Sequence, residues 1–208
     1  LGGVVMLLSE AQIEQLSAAI AEAERRTDAE LVTVLARQAD DYRPITIMWA
    51  ALASLALAPV VLSFAWLDAG HILLLQWMLF LCLTIIFRLP GLAPRLVPGS
   101  IKRSRAQSLA RCQFLSNELH HTAGASGILI FVSEAEHYVE ILADRGINQH
   151  VQPDCWDQIV EAFVSRVKEG QTFEGFLGCV SACGELLAKH APATSEKNEL
   201  PNRVVLLR

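Results

Sequence analysis

Two adjacent carboxylates, Asp40 and Asp41, are the side chains in this sequence best suited to bind a divalent cation. They follow residues 30–36, an almost continuously apolar run rich in β-branched residues, which is typical of a buried strand. Ligands favour the carboxyl ends of strands in α/β sheets, and Ca²⁺ and Mg²⁺ prefer oxygen ligands. The sequence therefore predicts metal ligands at Asp40 and Asp41, with Glu134 or Glu136 as a third.

Two other interpretations of the Asp40–Asp41 pair remain open. In the simpler one, the carboxylates form a solvated acidic turn that balances Arg37 and Arg43. In the other, they hold the metal of a phosphatase whose phosphate is bound by one of these arginines. The sequence has neither the spacing of an EF-hand nor a G-x-S-x-G nucleophile elbow. It leaves an enzymatic activity uncertain and favours a protein without one.

A second set of polar residues is expected at the opposite end of the same domain. Within it, Asp154 and Asp157 are interpreted as residues that cap a helix and complement its dipole. Cys179 and Cys183 lie four residues apart on a predicted helix, and we interpret them as small core residues. The full polar set is Asp144, Arg145, Asn148, His150, Asp154 and Asp157.

The predicted elements around these residues form a series of helices and strands. Ser9 and Gln12 fit a capping box at the start of an amphipathic helix, on which Glu24 is expected to face water. A strand, a crossover helix and a second strand should be parallel, with a third strand antiparallel to the second. The predicted fold is a three-layer α/β/α domain with a small mixed sheet. The elements after the first strand are a helix over residues 101–121 capped by Ser100, strands over residues 128–132 and 137–142, a helix opened by Pro153 and Asp154, and a helix capped by Thr172.

A two-helix transmembrane hairpin is predicted to interrupt this domain at residues 45–87. Residues 45–67 contain no charged side chain, and a second apolar run, residues 71–87, follows a short turn. Two long buried helices of a soluble protein are the alternative, but uncharged runs of this length are typical of membranes. Because basic residues flank the hairpin and the turn has none, the positive-inside rule predicts that both termini are cytoplasmic. A bacterial inner membrane is the expected location.

The domain prediction is completed by the remaining boundaries. A discontinuous α/β/α domain covers residues 9–42 and 100–190, a linker rich in Pro and Gly covers 88–99, and a tail that we expect to be mobile covers 193–208.

The net charge of -5 argues against general nucleic-acid binding. Five cysteines without a C-x-x-C pair argue against a disulfide framework.

The chain resembles the TPM domain family in three stretches. These are Gly127-Ile128-Leu129-Ile130-Phe131-Val132, Asp144-Arg145-Gly146-Ile147 and the later segment at residues 168–176. The resemblance covers residues 9–42 and 100–190 and implies a mixed-sheet α/β/α domain. Members have been linked to phosphatase activity, calcium binding, photosystem repair and membrane-complex assembly. Asp144 stands where the family pattern has the first glycine of a loop, so the sequence departs from the family there.

These observations lead to one functional prediction and one alternative. The prediction is a membrane-anchored cytoplasmic TPM-like domain that acts as an interaction or assembly module at the inner membrane. Its expected partners are the lipid bilayer and either another membrane protein or further copies of itself. The alternative is a divalent-metal-dependent phosphatase that uses Asp40 and Asp41, with Ca²⁺ or Mg²⁺ as the cofactor.

Overall fold

The structure is a computed structural model that describes residues 8–64, 68–89, 96–122, 124–194 and 204–207. The chain divides into two compact units, one formed by Leu1–Ala39 and Arg105–Arg208 and the other by Asp40–Ser104. The elements in chain order are α1 (Glu10–Glu24), β1 (Glu30–Ala36), α2 (Arg43–Phe64), α3 (Ala69–Ile86), α4 (Gly99–Ser116), a 3₁₀ turn (Leu119–His121), β2 (Gly127–Ser133), β3 (Tyr138–Ala143), α5 (Arg145–Asn148), α6 (Pro153–Lys168), α7 (Thr172–His190) and β4 (Val204–Leu207).

The described strands form a mixed sheet in the order β3-β2-β1-β4. β1 and β2 are parallel, and their register runs from Glu30 opposite Gly127 to Ala36 opposite Ser133. β3 is antiparallel to β2, as predicted. Every residue of β1 and β2 is buried, which explains why both strands are almost continuously apolar in sequence.

Two apolar cores lie on the two faces of the sheet. One contains Leu31 and Ile130 together with side chains of α1, α6 and α7, and the other contains Val34 and Phe131 together with side chains of α4. Successive residues of a strand point to opposite faces, so both strands contribute to both cores. Helices on both faces of a mixed sheet confirm the predicted three-layer α/β/α class.

The expectation that the C-terminal tail is mobile is wrong for residues 204–207. These residues form β4, which pairs in parallel with β1, and the Arg37 amide donates to the Leu207 carbonyl at 3.0 Å. The pairing satisfies backbone groups at an edge of β1 that would otherwise have no strand beside it. Thr194, near the start of the same predicted tail, donates its amide to the Asp28 carboxylate at 3.0 Å. Residues 195–203 and 208 lie outside the described residues.

Several predicted boundaries shift by a few residues. The helix predicted over 101–121 begins at Gly99 and ends at Ser116, because Glu118 adopts a left-handed conformation with φ 57°. β3 begins after His137, which has φ 51°. Thr172 is the first residue of α7, whose N-cap is Gln171. The capping box at Ser9 is confirmed.

The described residues of the second unit include two helices that are long and apolar enough to cross a membrane. The candidate spans are Arg43–Ser63 in α2 and Ala69–Ile86 in α3, with mean hydropathies of 2.2 and 2.0. Within an 18-residue apolar window of each span, 17% of the residues are buried in the first and 6% in the second. The two helices pack against each other. Residues 65–67, at the end of the first predicted membrane segment, and 90–95, in the predicted linker, lie outside the described residues.

Candidate functional site

The carboxyl ends of β1 and β2 lie side by side because the two strands are in register up to Ala36 and Ser133. The chain that leaves each strand is then held by backbone hydrogen bonds. The Glu134 amide donates to the Ala36 carbonyl at 2.9 Å, and the Ala135 amide donates to the Arg37 carbonyl at 3.0 Å. The β2–β3 turn is therefore fixed to the segment that follows β1.

Glu136 has a structural role in this turn. Its carboxylate accepts hydrogen bonds from the Ser133 hydroxyl and from the Ala39 amide, the latter at 3.0 Å. Ser133 is only 1% exposed, so its hydroxyl has no ready access to water. Glu136 was one of two alternatives for a third metal ligand, and one oxygen of its carboxylate already accepts both of these bonds.

Asp40 and Asp41 belong to the second unit and make local contacts there. The Asp40 carboxylate accepts a long hydrogen bond of 3.5 Å from the Tyr42 amide. Asp41 forms an ion pair with the Arg43 guanidinium at 3.1 Å, and both of these side chains are exposed. This contact agrees with the interpretation of the pair as a solvated acidic turn that balances a nearby arginine.

The third predicted metal ligand, Glu134, belongs to the first unit and is half-buried in the β2–β3 turn. Across the described ranges, no three histidine, cysteine, aspartate or glutamate side chains come together as a metal-binding group. The ligand set Asp40, Asp41 and Glu134 stays a prediction, and calcium or magnesium titration is the measurement that decides it.

At the opposite end of the sheet, Asp144 caps the short helix α5. Its carboxylate accepts from the Arg145 amide at 2.6 Å, and Asn148 donates its side-chain amide to the Ala143 carbonyl at 2.6 Å. Gly146 lies so close to the preceding loop that a Cβ atom there would stand 2.1 Å from the Gly124 carbonyl oxygen. Asp154 lies in the first turn of α6, where a carboxylate complements the helix dipole as predicted. The expectation that Asp154 and Asp157 cap this helix is wrong, because its N-cap is Gln152.

Glu24 lies in a different environment from the one that the sequence predicts. It was expected to face water, but its carboxylate turns inward and accepts from the Leu31 amide at 2.8 Å. Burial raises the pKa of Glu24 to about 7; the hydrogen bond from Leu31 opposes the rise, and the nearby Glu30 adds to it. The available signal was its position in the last turn of α1, next to the loop that leads into a buried strand.

Cys179 and Cys183 are core residues of α7, as predicted. They are 3% and 0% exposed. The pKa of the Cys183 thiol is well above its usual range because Cys179 is hydrogen-bonded to it and because it is buried. A thiol held in its protonated form is a poor nucleophile and a poor metal ligand.

Comparisons with known proteins agree with this architecture. The model of the TPM domain matches residues 95–186. The NMR structure of BA42 protein from the psychrophilic bacterium Bizionia argentinensis is similar over 99% of each chain, with a TM-score of 0.61 and 18% sequence identity, and it supports the fold alone. The search of curated proteins gave no match. The match shows that residues 95–186 are similar to the TPM domain, and the described α/β/α fold agrees with it.

Proposed function

We propose that this protein is a TPM domain anchored to a membrane by the α2–α3 hairpin, where it acts as an interaction or assembly module. The observation that carries the proposal is the exposure of large apolar side chains along both helices. Leu55 of α2 is 63% exposed, and Leu81 and Ile85 of α3 are 54% and 67% exposed. A water-soluble protein rarely exposes so continuous an apolar surface.

The dimensions of the two helices suit a bilayer. α2 has 22 residues and α3 has 18, which correspond to lengths of about 33 Å and about 27 Å, against a hydrocarbon core of about 30 Å. The rival interpretation, two core helices of a soluble protein, requires mostly buried side chains. Since only 17% and 6% of the residues in the apolar windows of the two spans are buried, a lipid bilayer suits these surfaces better than a protein core does.

The distribution of charge supports a cytoplasmic location for both flanks of the hairpin. The connection between the helices and the first turn of α3 contain Asp68 and His71 but neither lysine nor arginine. By contrast, α4 has four basic residues and no acidic one. The positive-inside rule then assigns both flanks to the cytoplasmic side, and a bacterial inner membrane fits this arrangement. The basic residues of α4 are Lys102, Arg103, Arg105 and Arg111.

An interaction role is favoured over catalysis because the carboxylates near the strand ends already have local partners. Glu136 closes the β2–β3 turn, Asp144 caps α5, and Asp41 pairs with Arg43. A catalytic acid or base is expected to have a pKa suited to its task and to be accessible to substrate. Glu24, whose pKa is raised, is hydrogen-bonded to the backbone of Leu31. The partner is a membrane protein or another copy of this chain.

Membrane insertion is tested by synthesising the full chain with liposomes and measuring flotation after an alkaline wash. We expect the wild type to float and the double variant Leu55→Arg/Leu81→Arg to be lost from the floating fraction, because an arginine within a span opposes insertion by up to about 3 kcal/mol. Gln158→Arg, which adds a charge to the exposed surface of α6, is the matched control and should float. Equal extraction of the wild type and the double variant would contradict the anchor.

Orientation is tested by labelling cysteines with a membrane-impermeant maleimide. Cys112 is exposed on α4, after the hairpin, and Asp68→Cys introduces a thiol into the connection between the two spans. In sealed vesicles from cells, the two sites should react from opposite sides.

A phosphatase assay with p-nitrophenyl phosphate and added Ca²⁺ or Mg²⁺ tests the rival activity. If the wild type hydrolyses this substrate and the variant Asp40→Asn/Asp41→Asn does not, the protein is an enzyme and the proposed interaction role is wrong.

A further inference from the structure

The side chain of Gln76 lies near the middle of α3, within one of the two apolar spans. It is half-buried and lines a cleft of about 300 Å³ between α2 and α3. No residue in the described part of the chain forms a hydrogen bond with its carboxamide. The other residues of the cleft are Ser54, Leu73, Trp77 and Phe80.

The neighbouring polar group in the cleft does not satisfy this carboxamide. The Ser54 hydroxyl is buried and donates to the Ala51 carbonyl of its own helix at 2.9 Å. Hydrocarbon tails cannot donate or accept hydrogen bonds, so a lipid in the cleft would leave Gln76 unpaired. Polar side chains in membrane spans commonly hydrogen-bond across helices, and such bonds contribute to helix association.

We propose that Gln76 pairs with Gln76 of a second copy of this chain across a two-fold interface centred on the α2–α3 cleft. This inference rests on the proposed membrane anchor. A carboxamide offers both a donor and an acceptor, so two of them related by a two-fold axis can satisfy each other. A two-fold interface brings the same patch of both copies together, and a residue near the axis then meets its own counterpart.

The side chains around Gln76 fit such a contact. Leu73 and Trp77 flank Gln76 on α3 and are 57% and 64% exposed. Trp77 stacks edge-to-face on Phe80 with ring centroids 6.3 Å apart, so its ring has a defined position beside the cleft. The second copy would meet a polar centre surrounded by large apolar side chains, an arrangement in which lipid is excluded from the hydrogen bonds.

The test measures energy transfer between donor-labelled and acceptor-labelled copies of the full chain in liposomes over a range of protein-to-lipid ratios. We expect wild-type association to weaken by about three- to tenfold in Gln76→Leu, which removes the carboxamide at similar size. Gln76→Asn keeps the amide on a shorter side chain, so its association should be weaker than that of the wild type and stronger than that of Gln76→Leu. Met78→Leu alters an exposed residue of the same helix and should associate like the wild type.

The outcomes separate the interface from the anchor. A chain that floats with liposomes but stays monomeric, or that associates equally well as Gln76→Leu, overturns the Gln76 pair and leaves the anchor standing. A chain that does not float overturns both. If energy transfer appears only when another membrane protein is added, the proposal that a second copy occupies the cleft is wrong. Concentration-dependent transfer that is weakened in Gln76→Leu and intact in Met78→Leu supports the pair.

Discussion

The Glu136 carboxylate accepts a hydrogen bond from the Ala39 amide at 3.0 Å. This contact connects the β2–β3 turn to the segment that follows β1. The same oxygen accepts from the Ser133 hydroxyl. One side chain therefore joins the segment that follows β1, the end of β2 and the β2–β3 turn. Its carboxylate serves the structure of the sheet edge.

Removing this carboxylate should destabilise the domain. We expect Glu136→Ala to lower the free energy of unfolding by about 2 kcal/mol, because the Ala39 amide and the buried Ser133 hydroxyl both lose an acceptor. Urea denaturation followed by circular dichroism measures the change. Glu134→Ala removes a carboxylate from the same turn and should cost less than about 0.5 kcal/mol. Equal losses in the two variants would contradict the structural role of Glu136.

Glu24 should make stability depend on pH. Its pKa is about 7 in the folded protein, against 4.5 as the reference value. Below pH 4.5 the carboxyl group is protonated in both the folded and the unfolded state, so its burial does not lower the free energy of unfolding through ionisation. As the pH rises from 4.5 to 7, the unfolded chain ionises first, so stability falls with rising pH and the penalty is complete above pH 7.

The variant Glu24→Gln removes this penalty and keeps an acceptor for the Leu31 amide. At pH 8 we expect it to be more stable than the wild type by about 1–2 kcal/mol, after allowing for solvent screening of this partly exposed side chain. The gain should disappear near pH 4. Glu14→Gln, at an exposed position of the same helix, should show neither effect. A gain of the same size at pH 4 and pH 8 would point to a cause other than ionisation.

Gly146 should tolerate no side chain. A Cβ atom there would lie 2.1 Å from the Gly124 carbonyl oxygen and 2.7 Å from that of Ala125, and backbone atoms cannot move aside as a flexible side chain can. We expect Gly146→Ala to lower the free energy of unfolding by about 2–4 kcal/mol. Gly99→Ala, where no atom lies within 4 Å of the added carbon, should be neutral or slightly stabilising. Differential scanning calorimetry distinguishes the two, and a neutral Gly146→Ala would contradict the close approach.

β4 should protect one edge of β1. Deletion of residues 204–208 removes the partner strand and the carbonyl that accepts from the Arg37 amide at 3.0 Å. We expect stability to fall by about 1–3 kcal/mol through lost apolar burial and lost hydrogen bonds. Hydrogen exchange measured by mass spectrometry should accelerate at Arg37 and along β1, while β3 keeps most of its protection. Unchanged exchange at Arg37 would contradict the pairing.

The metal ligands predicted at Asp40, Asp41 and Glu134 have a direct test. A bound Ca²⁺ or Mg²⁺ ion should raise stability by about 2.7 kcal/mol at a hundredfold excess over its Kd, and Asp40→Asn/Asp41→Asn should abolish the rise. Arg43→Ala should increase the affinity, because Asp41 now pairs with Arg43 at 3.1 Å. Thermal unfolding of the purified protein in detergent measures these shifts. If neither Ca²⁺ nor Mg²⁺ changes the thermal stability of the wild type, the predicted metal site is wrong.

The sequence by itself determined the elements whose residues repeat a strong local pattern. Ser9 and Gln12 identified the start of α1, the continuous apolar runs identified β1 and β2, and the uncharged stretch after Arg43 identified the long apolar helices. These signals are local, since capping, strand burial and helix hydrophobicity each depend on residues close together in the chain. The order of the elements then restricted the sheet to a parallel crossover followed by an antiparallel strand.

The tertiary structure alone decided which side chains meet across long sequence separations. Val204–Leu207 is too short to indicate a strand until it lies beside β1. Glu24 looks like a surface residue of an amphipathic helix until the Leu31 amide and the core around it raise its pKa. Glu136 was one of several acidic residues near a turn until Ala39 and Ser133 were found to donate to it. Each outcome depends on how the folded chain packs around these residues, which a local pattern does not encode.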